Sequence, residues 1–355
     1  MISALDKPHS PNARGRKMSL ITTVFPPQSS GIRARLFLRA WALVWAVMAY
    51  SLPFSAAAAA GTSINVNPVT GDDSLCGVSP SGASCRSIAR AVQLNIPGTA
   101  SYLNLSAGIY NETTISISNV SSLVISGVPN ATVFDCRGRQ GATSGAAFAI
   151  INSTVAIVGL TFEACSNPTS NGGAVSASGS SVVLSQCSFT GCSAASGGAV
   201  SVTGPGSGSG LFLSVQNSTF TNNSASGSLE HCPANTAQPC STWGGAVAAF
   251  EMYNVSISGC TMVANRAAAV APPDSTSSLA GGGCLSVLFR GNASGAAVHV
   301  SSNRFLQCIV DVGAFGQGNG KCDACTGFGS VHLIELQGTE APYPSTSVSR
   351  PDCSC

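Results

Sequence analysis

The chain has 355 residues, of which only 8% are charged and 39 are Gly. Seven of the 16 basic residues precede residue 40, leaving nine Lys and Arg against 13 acids from Gly61 onward. That balance argues against phosphate-driven nucleic-acid binding, and so few charges mean a fold held by backbone ladders and small-residue stacking.

Residues 1–60 are read as a lead and an export signal. Arg33, Arg35 and Arg39 precede the apolar run Ala40 to Leu52, which Pro53 and Ala56 to Ala60 follow. A basic flank, an apolar core and a small-residue exit make a secretory signal peptide with cleavage near Ala60. An uncleaved anchor and an organellar transit peptide are the alternatives. The 15 Cys all lie after residue 75, which fits an oxidising compartment.

Residues 61–112 are expected to form an N-terminal cap and the first strands. Cys76 and Cys85 stand nine apart around Gly and Pro, a spacing that suits a local disulfide. Ser84 to Leu94 has helical spacing, with Ile88, Ala91, Val92 and Leu94 on one side. A short amphipathic helix there would cover the open end of a stacked array.

Residues 113–336 carry one phrase five times. An apolar residue is followed by another two on, an aromatic or Met seven on and a Cys or Asn ten on. The copies are Val155, Ile157, Phe162, Cys165; Val182, Leu184, Phe189, Cys192; Leu213, Val215, Phe220, Asn223; Val255, Ile257, Met262, Asn265; and Val298, Val300, Phe305, Cys308. The apolar step has the period of a strand, and starts 27, 31, 42 and 43 residues apart fit one coil of a solenoid with variable loops. Stacked coils would place equal offsets in line at about 4.8 Å. The expected fold is all-β, a parallel β-helix with a short N-terminal capping helix. Residues 337–355 form a Cys-containing tail.

The opening GDDSLCG and SCRSIARAV, then LNLSAGIYNE and SSLVISGVPNATVFDC, resemble the start of pectin-lyase-like β-helix proteins. The later Gly-Gly-Ala-Val and Phe-x-x-Cys/Asn units are similar to the repeats of chlamydial polymorphic outer-membrane proteins. The resemblance, over residues 62 to 336, implies a right-handed, three-sided coil.

Several motifs bear on chemistry. Gly-Gly-Ala-Val at Gly172, Gly197 and Gly244, and its variant at Gly282, lacks the Lys-Ser/Thr of a phosphate loop, so these glycines read as corners. Equal offsets bring Cys165 beside Cys192 as a disulfide candidate, a buried reduced ladder being the alternative. Cys232 and Cys240 are a second candidate pair, across a loop. Asn223 and Asn265 in the same slot suit an interior hydrogen-bonded ladder. Cys322 and Cys325 form a single CxxC without a second pair. Asp72 and Asp73 are the best calcium candidates, and His9, His231, His299 and His332 lack partners at a useful spacing. Glycosidases usually need two placed carboxyls, but Glu163, Glu230, Glu251, Asp274 and Asp311 sit at different offsets, so no two acids are expected to stack. Asp135, Arg137 and Arg139 are the best charged group.

Asn-x-Ser/Thr sequons occur at Asn104, Asn111, Asn119, Asn130, Asn152, Asn217, Asn222, Asn254 and Asn292. The expectation is a secreted or cell-surface, disulfide-bonded β-helix glycoprotein without catalytic, cofactor or metal residues. Its role would be structural or adhesive, toward extracellular polysaccharide or surface proteins, with membrane attachment only if the N-terminal segment is kept. The alternative is an extracellular polysaccharide lyase or glycoside hydrolase on the same scaffold.

Overall fold

The computed structural model describes residues 62–78, 82–94, 100–137, 145–205, 210–227, 240–252, 254–269, 278–290, 297–312, 331–336 and 346–348. The lead and signal segment therefore lies outside the described residues, and among these no helix is long and apolar enough to cross a membrane.

The described chain is almost entirely short strands, paired in parallel and stacked in sheets. One circuit shows the plan. Thr154–Val158 lies in sheet I, Thr161–Glu163 in sheet II, Ser166–Asn167 in sheet III and Val175–Ser178 in sheet IV. Ser181–Ser185 then returns to sheet I beside Thr154–Val158, one rung on. Repetition gives nine strands in sheet I, seven in II, five in III and seven in IV. Strands so short could not stand alone, and each is stable because the circuits on either side complete its hydrogen bonds.

The implied three sides become four. Sheet III is made of strands only two to four residues long, such as Ser166–Asn167 and Arg266–Ala269. It takes no described strand from the first two circuits, Ser101–Ser118 and Leu123–Ile151. Such pieces are too brief to leave a hydrophobic alternation in the sequence.

Register follows the repeated phrase. Val155, Val182, Leu213, Val255 and Val298 are successive partners in sheet I, as are Ile157, Leu184, Val215, Ile257 and Val300. Phe162, Phe189, Phe220, Met262 and Phe305 are partners in sheet II, and Tyr110 and Phe134 extend that column toward the N-terminus. The ring centroids of Phe162, Phe189 and Phe220 are 4.9 and 4.7 Å apart and nearly parallel. Apolar side chains fill the space inside the sheets.

Corners repeat as strictly as strands. Between sheets I and II the left-handed backbone conformation recurs at Gly159, Gln186, Asn217, Gly259 and Ser302. Between II and III it recurs at Ala164, Gly191, Asn222, Ala264 and Gln307, and between IV and I at Asn119, Asn152, Gly179 and Glu251. The III/IV corner is stricter. A Cβ on Gly197 (φ 60°) would overlap the Val200 carbonyl, and one on Gly198 would overlap the Gly245 carbonyl of the next circuit. Hence the paired glycines: the first permits the turn and the second lets a neighbouring backbone pass.

The N-terminal cap is tied by carboxylates. Cys85 pairs in parallel with Val66 at the edge of sheet I, and the Cys76–Cys85 disulfide closes the loop between. Asp73 accepts from the Arg86 and Ser87 backbone N–H at 2.8 and 2.9 Å and from the Ser87 hydroxyl at 2.7 Å. The helix is therefore shorter than its periodicity suggests. It runs Ile88–Gln93, with Ser87 as extended N-cap accepting from the Arg90 N–H. Glu112 accepts the next two orphan donors, Ile88 N–H at 2.6 Å and Ala89 N–H at 2.8 Å.

Partial burial works against charge on Asp73, but the Ser87 and Arg86 hydrogen bonds win and hold its carboxyl below the ordinary value of 3.8. A depressed carboxyl contributes stability above its unfolded value and loses it as the pH falls through the folded one. Asp73→Asn should thus lower the thermal midpoint at neutral pH, and the gap from the parent protein should begin to narrow below 3.8 and close only as the pH falls through the lower folded value. A gap that persists unchanged in acid would show that the charge is not what holds the cap.

Candidate functional site

Each strand of sheet II has three or four residues, so an inward aromatic is flanked by two outward side chains. One outward column runs Val133, Thr161, Ser188, Thr219, Thr261, Arg304. The other runs Asp135, Glu163, Thr190, Thr221, Val263, Leu306. Hydroxyls dominate the middle rungs, and those of Ser188 and Thr219 are 3.0 Å apart across circuits. The aromatic stack beneath fixes this face.

At one end of the face two carboxylates are stacked. Asp135 and Glu163 are Cα partners, against the expectation that no two acids would stack. The expectation failed because it counted offsets. In this circuit Phe134 follows Leu123 by 11 residues (134 minus 123), whereas Phe162 follows Val155 by seven (162 minus 155). The surplus lies in the turn Gly127 to Ala131, where Thr132 Oγ1 accepts from the Val128 N–H at 2.8 Å.

Arg137 bridges the pair. Its Nε lies 2.9 Å from Asp135 Oδ1 and its NH2 nitrogen 2.6 Å from Glu163 Oε2, while its backbone N–H also donates to Asp135. Hydrogen bonds from Arg137 hold the Asp135 carboxyl below the usual range, and the same contacts raise the guanidinium. The Arg137 side chain is 65% exposed. The cluster thus presents a cation shared by two carboxylates, with one negative charge in excess, and a ladder of hydroxyls to solvent. That set suits hydrogen bonding to a hydroxylated chain. Arg139 lies outside the described residues.

The acids of the cap make no comparable site. Ligand atoms of Asp73, Cys76 and Cys85 lie within 4.8 Å of one another. The two sulfurs are joined to each other, and Asp73 is engaged by Arg86 and Ser87. Asp72 accepts from the Ser74 N–H and hydroxyl. That donor set offers no thiolate, and the hydrogen bonds occupy the carboxylates.

The cysteine pairing differs from the expectation at one bond. Cys165 is bonded to Cys136 of the preceding circuit, and Cys192 is free and buried. Equivalent positions in stacked circuits hold their Cβ atoms near the ladder spacing of about 4.8 Å. A disulfide spans about 3.5–4.5 Å between Cβ atoms. Cys136 directly follows Asp135 while Cys165 comes two after Glu163, so the bonded pair is one position out of register. A third disulfide, Cys284–Cys308, joins the Gly-Gly-x slot to the offset-ten slot. The sequence held that signal, because Cys284 replaces the alanines Ala174, Ala199 and Ala246 of the repeated phrase. Cys232, Cys322 and Cys325 lie outside the described residues, as does the side chain of Cys240.

Among the described residues the free cysteines Cys187, Cys192 and Cys260 are buried. Burial pushes Cys192 up to about 12 and Cys187 and Cys260 to about 11. Cys187 and Cys260 each point their sulfur at two backbone carbonyls.

Eight sequon asparagines are described, and all eight are exposed. Five of them, Asn119, Asn130, Asn152, Asn217 and Asn222, have φ between 48° and 60°. Asn111 follows Gly108–Tyr110 and Asn254 starts Asn254–Ser258. Asn104 is within a strand, its amide donating to Ser63 Oγ at 2.9 Å and Asn65 Oδ1 at 3.3 Å. Asn292 lies outside the described residues. His299 is exposed on the outer face of sheet I, and His9 and His231 lie outside the described residues, as does the side chain of His332.

No family model matches the chain, and no curated protein does. Among solved structures it is similar to ORF18 of Geobacillus virus E2, at 10% identity over 70% of this chain and 60% of that one, with a TM-score of 0.27.

Proposed function

We propose that this chain is an exported, non-catalytic, right-handed parallel β-helix glycoprotein with a structural or adhesive role at a cell wall or extracellular matrix. Its partners would be extracellular polysaccharide or surface proteins. The pectin-lyase-like opening and the repeats like those of chlamydial surface proteins belong to this reading. Stacked disulfides such as Cys136–Cys165 support an oxidising compartment.

One observation carries the non-catalytic part. Where two carboxylates meet on the outer face, Arg137 lies between them and draws the Asp135 carboxyl down. Glycoside hydrolysis needs one carboxylic acid kept protonated near neutrality, with its pKa raised. Asp135 is shifted the opposite way, so it is not that acid. The hydroxyl rungs beside it suit a held polymer better than a cleaved one.

The second reading is a polysaccharide lyase or glycoside hydrolase, and it rests on the in-register pair Asp135 and Glu163 with a cation beside them. An assay separates the two. The secreted protein should bind insoluble wall polysaccharide and leave pectin and alginate at their starting length. Depolymerisation that disappears in Asp135→Ala or Glu163→Gln would reverse the assignment in favour of the enzyme.

A further inference from the structure

The corners account for how the sequons arise. Asn119, Asn152, Asn217 and Asn222 occupy left-handed corner positions, a conformation in which asparagine is enriched among side chains other than glycine. Two residues later comes a hydroxyl residue, which at Thr154, Thr219 and Ser224 opens the next strand. Asn-x-Ser/Thr is therefore a by-product of the repeat, and the acceptor side chain is placed where the chain bulges outward.

We propose that N-linked oligosaccharide is carried on the left-handed turn asparagines Asn130, Asn217 and Asn222 and on only one of Asn119 and Asn152, while Asn104 stays bare. The proposal rests on the export reading and goes beyond it by assigning the sites.

Backbone geometry supports the corner sites. The Asn217 and Asn222 backbone N–H groups donate to Ser258 and Val263 of the next circuit, each at 3.0 Å, so the main chain is fixed and the exposed amide projects. Their corner neighbours are Gln186 and Gly259 for Asn217, and Gly191 and Ala264 for Asn222. None of these four begins a sequon. A sugar there has its corner to itself. Asn217 and Asn222 flank Thr219–Thr221 on opposite sides, about five strand residues or roughly 16 Å apart.

Asn119 and Asn152 differ. Ser118 and Ile151 are register partners, and Asn119 donates its N–H to the Ile151 carbonyl at 3.0 Å. The two asparagines are thus equivalent residues on adjacent rungs, at about the 4.8 Å ladder spacing. A branched oligosaccharide is wider than one rung, so a glycan on either obstructs the other. Asn152 Oδ1 also leans over the following corner, 2.5 Å from where a Cβ on Gly179 would stand.

Asn104 is excluded by its partners. The amide nitrogen that would bear the sugar donates to Ser63 and Asn65 within a flat strand face. Ser126 stands beside it on the next rung. A glycan there would displace these side-chain contacts to Ser63 and Asn65.

As a consequence, sugars would sit at the corners on both sides of sheet I and at the far corner of sheet II.

The test uses the full chain secreted from a eukaryotic line. A peptide N-glycosidase in heavy-oxygen water converts each occupied Asn to labelled Asp for peptide mass spectrometry, and intact mass counts glycans per molecule. Label is expected at Asn130, Asn217 and Asn222, shared between Asn119 and Asn152, and missing at Asn104. Ser121→Ala and Thr219→Ala remove single sequons while keeping the corner asparagines. Ser121→Ala should leave the glycan count unchanged as Asn152 takes up the share of Asn119, whereas Thr219→Ala should lower it by one. Label at Asn104, or a count that drops by one in Ser121→Ala, overturns the proposal and leaves the export reading standing. Absence of label from every sequon defeats both.

Discussion

Phe189→Ala is expected to destabilise the protein by about 3–5 kcal/mol, among the largest effects of any single truncation in the core. Phe189 is fully buried between Phe162 and Phe220, with ring centroids at 4.9 and 4.7 Å and interplanar angles of 3° and 8°. Truncation removes contacts on both ring faces, and the backbone cannot close the gap because sheet II is held at ladder spacing by its neighbours. Each circuit touches only the circuits before and after it, so the damage falls on two interfaces and weakens the coupling between the halves of the stack. Phe305→Ala makes the comparison: Phe305 is only half-buried at the far end of the column, and its loss should be smaller. Denaturant midpoints measure both. A Phe189→Ala shift no larger than that of the exposed neighbour Thr190→Ala would remove the stack as the organising element.

The stack was readable before any coordinates because it depends on a constant offset. Strand, corner and strand take the same number of residues from Val155 to Phe162 as from Val182 to Phe189, so residue counting and spatial register agree. Where the connection lengthens, counting fails. Tyr110 and Phe134 belong to the column but were missed, and the Asp135–Glu163 pair and the Cys136–Cys165 bond were missed with them. The turn Gly127 to Ala131 hid Phe134, Asp135 and Cys136, and Tyr110 was hidden because it stands nine residues, not seven, after its sheet I position Ser101. The helix start was misplaced for another reason: periodicity counts apolar residues and is blind to Asp73, which captures the Arg86 and Ser87 N–H groups and so keeps Ser87 extended. The additional side, sheet III, escaped because its first strands, Ser166–Asn167 and Ser193–Ala194, are too short to show a hydrophobic alternation. Asn223 and Asn265, in contrast, could be placed inside from their slot alone, since a polar residue repeated at a buried offset needs a partner at that same offset.

That interior ladder supplies the other large expected effect. Asn223 is fully buried, and its Oδ1 accepts the Cys192 backbone N–H at 2.9 Å while its Nδ2 donates to the Phe189 carbonyl at 3.1 Å and to Asn265 Oδ1 at 2.9 Å. Asn265 repeats the arrangement one circuit on, accepting the Asn223 N–H at 3.0 Å and donating to the Phe220 carbonyl at 3.0 Å. Asn223→Ala therefore strips the Cys192 N–H and the Phe189 carbonyl of these partners in a site closed to water, at about 1–3 kcal/mol for each buried group left unmade. The expected total is about 3–5 kcal/mol. Because Asn223 and Asn265 bond each other, the double variant Asn223→Ala with Asn265→Ala should lose less than the sum of the singles, by about 0.5–3 kcal/mol. The exposed neighbour Asn222, in a left-handed corner, should accept Gly with little change. Chemical denaturation of the four proteins decides the matter: strict additivity of the two alanine variants, within about 0.5 kcal/mol, would mean that the two amides act alone and that the ladder is not a coupled unit.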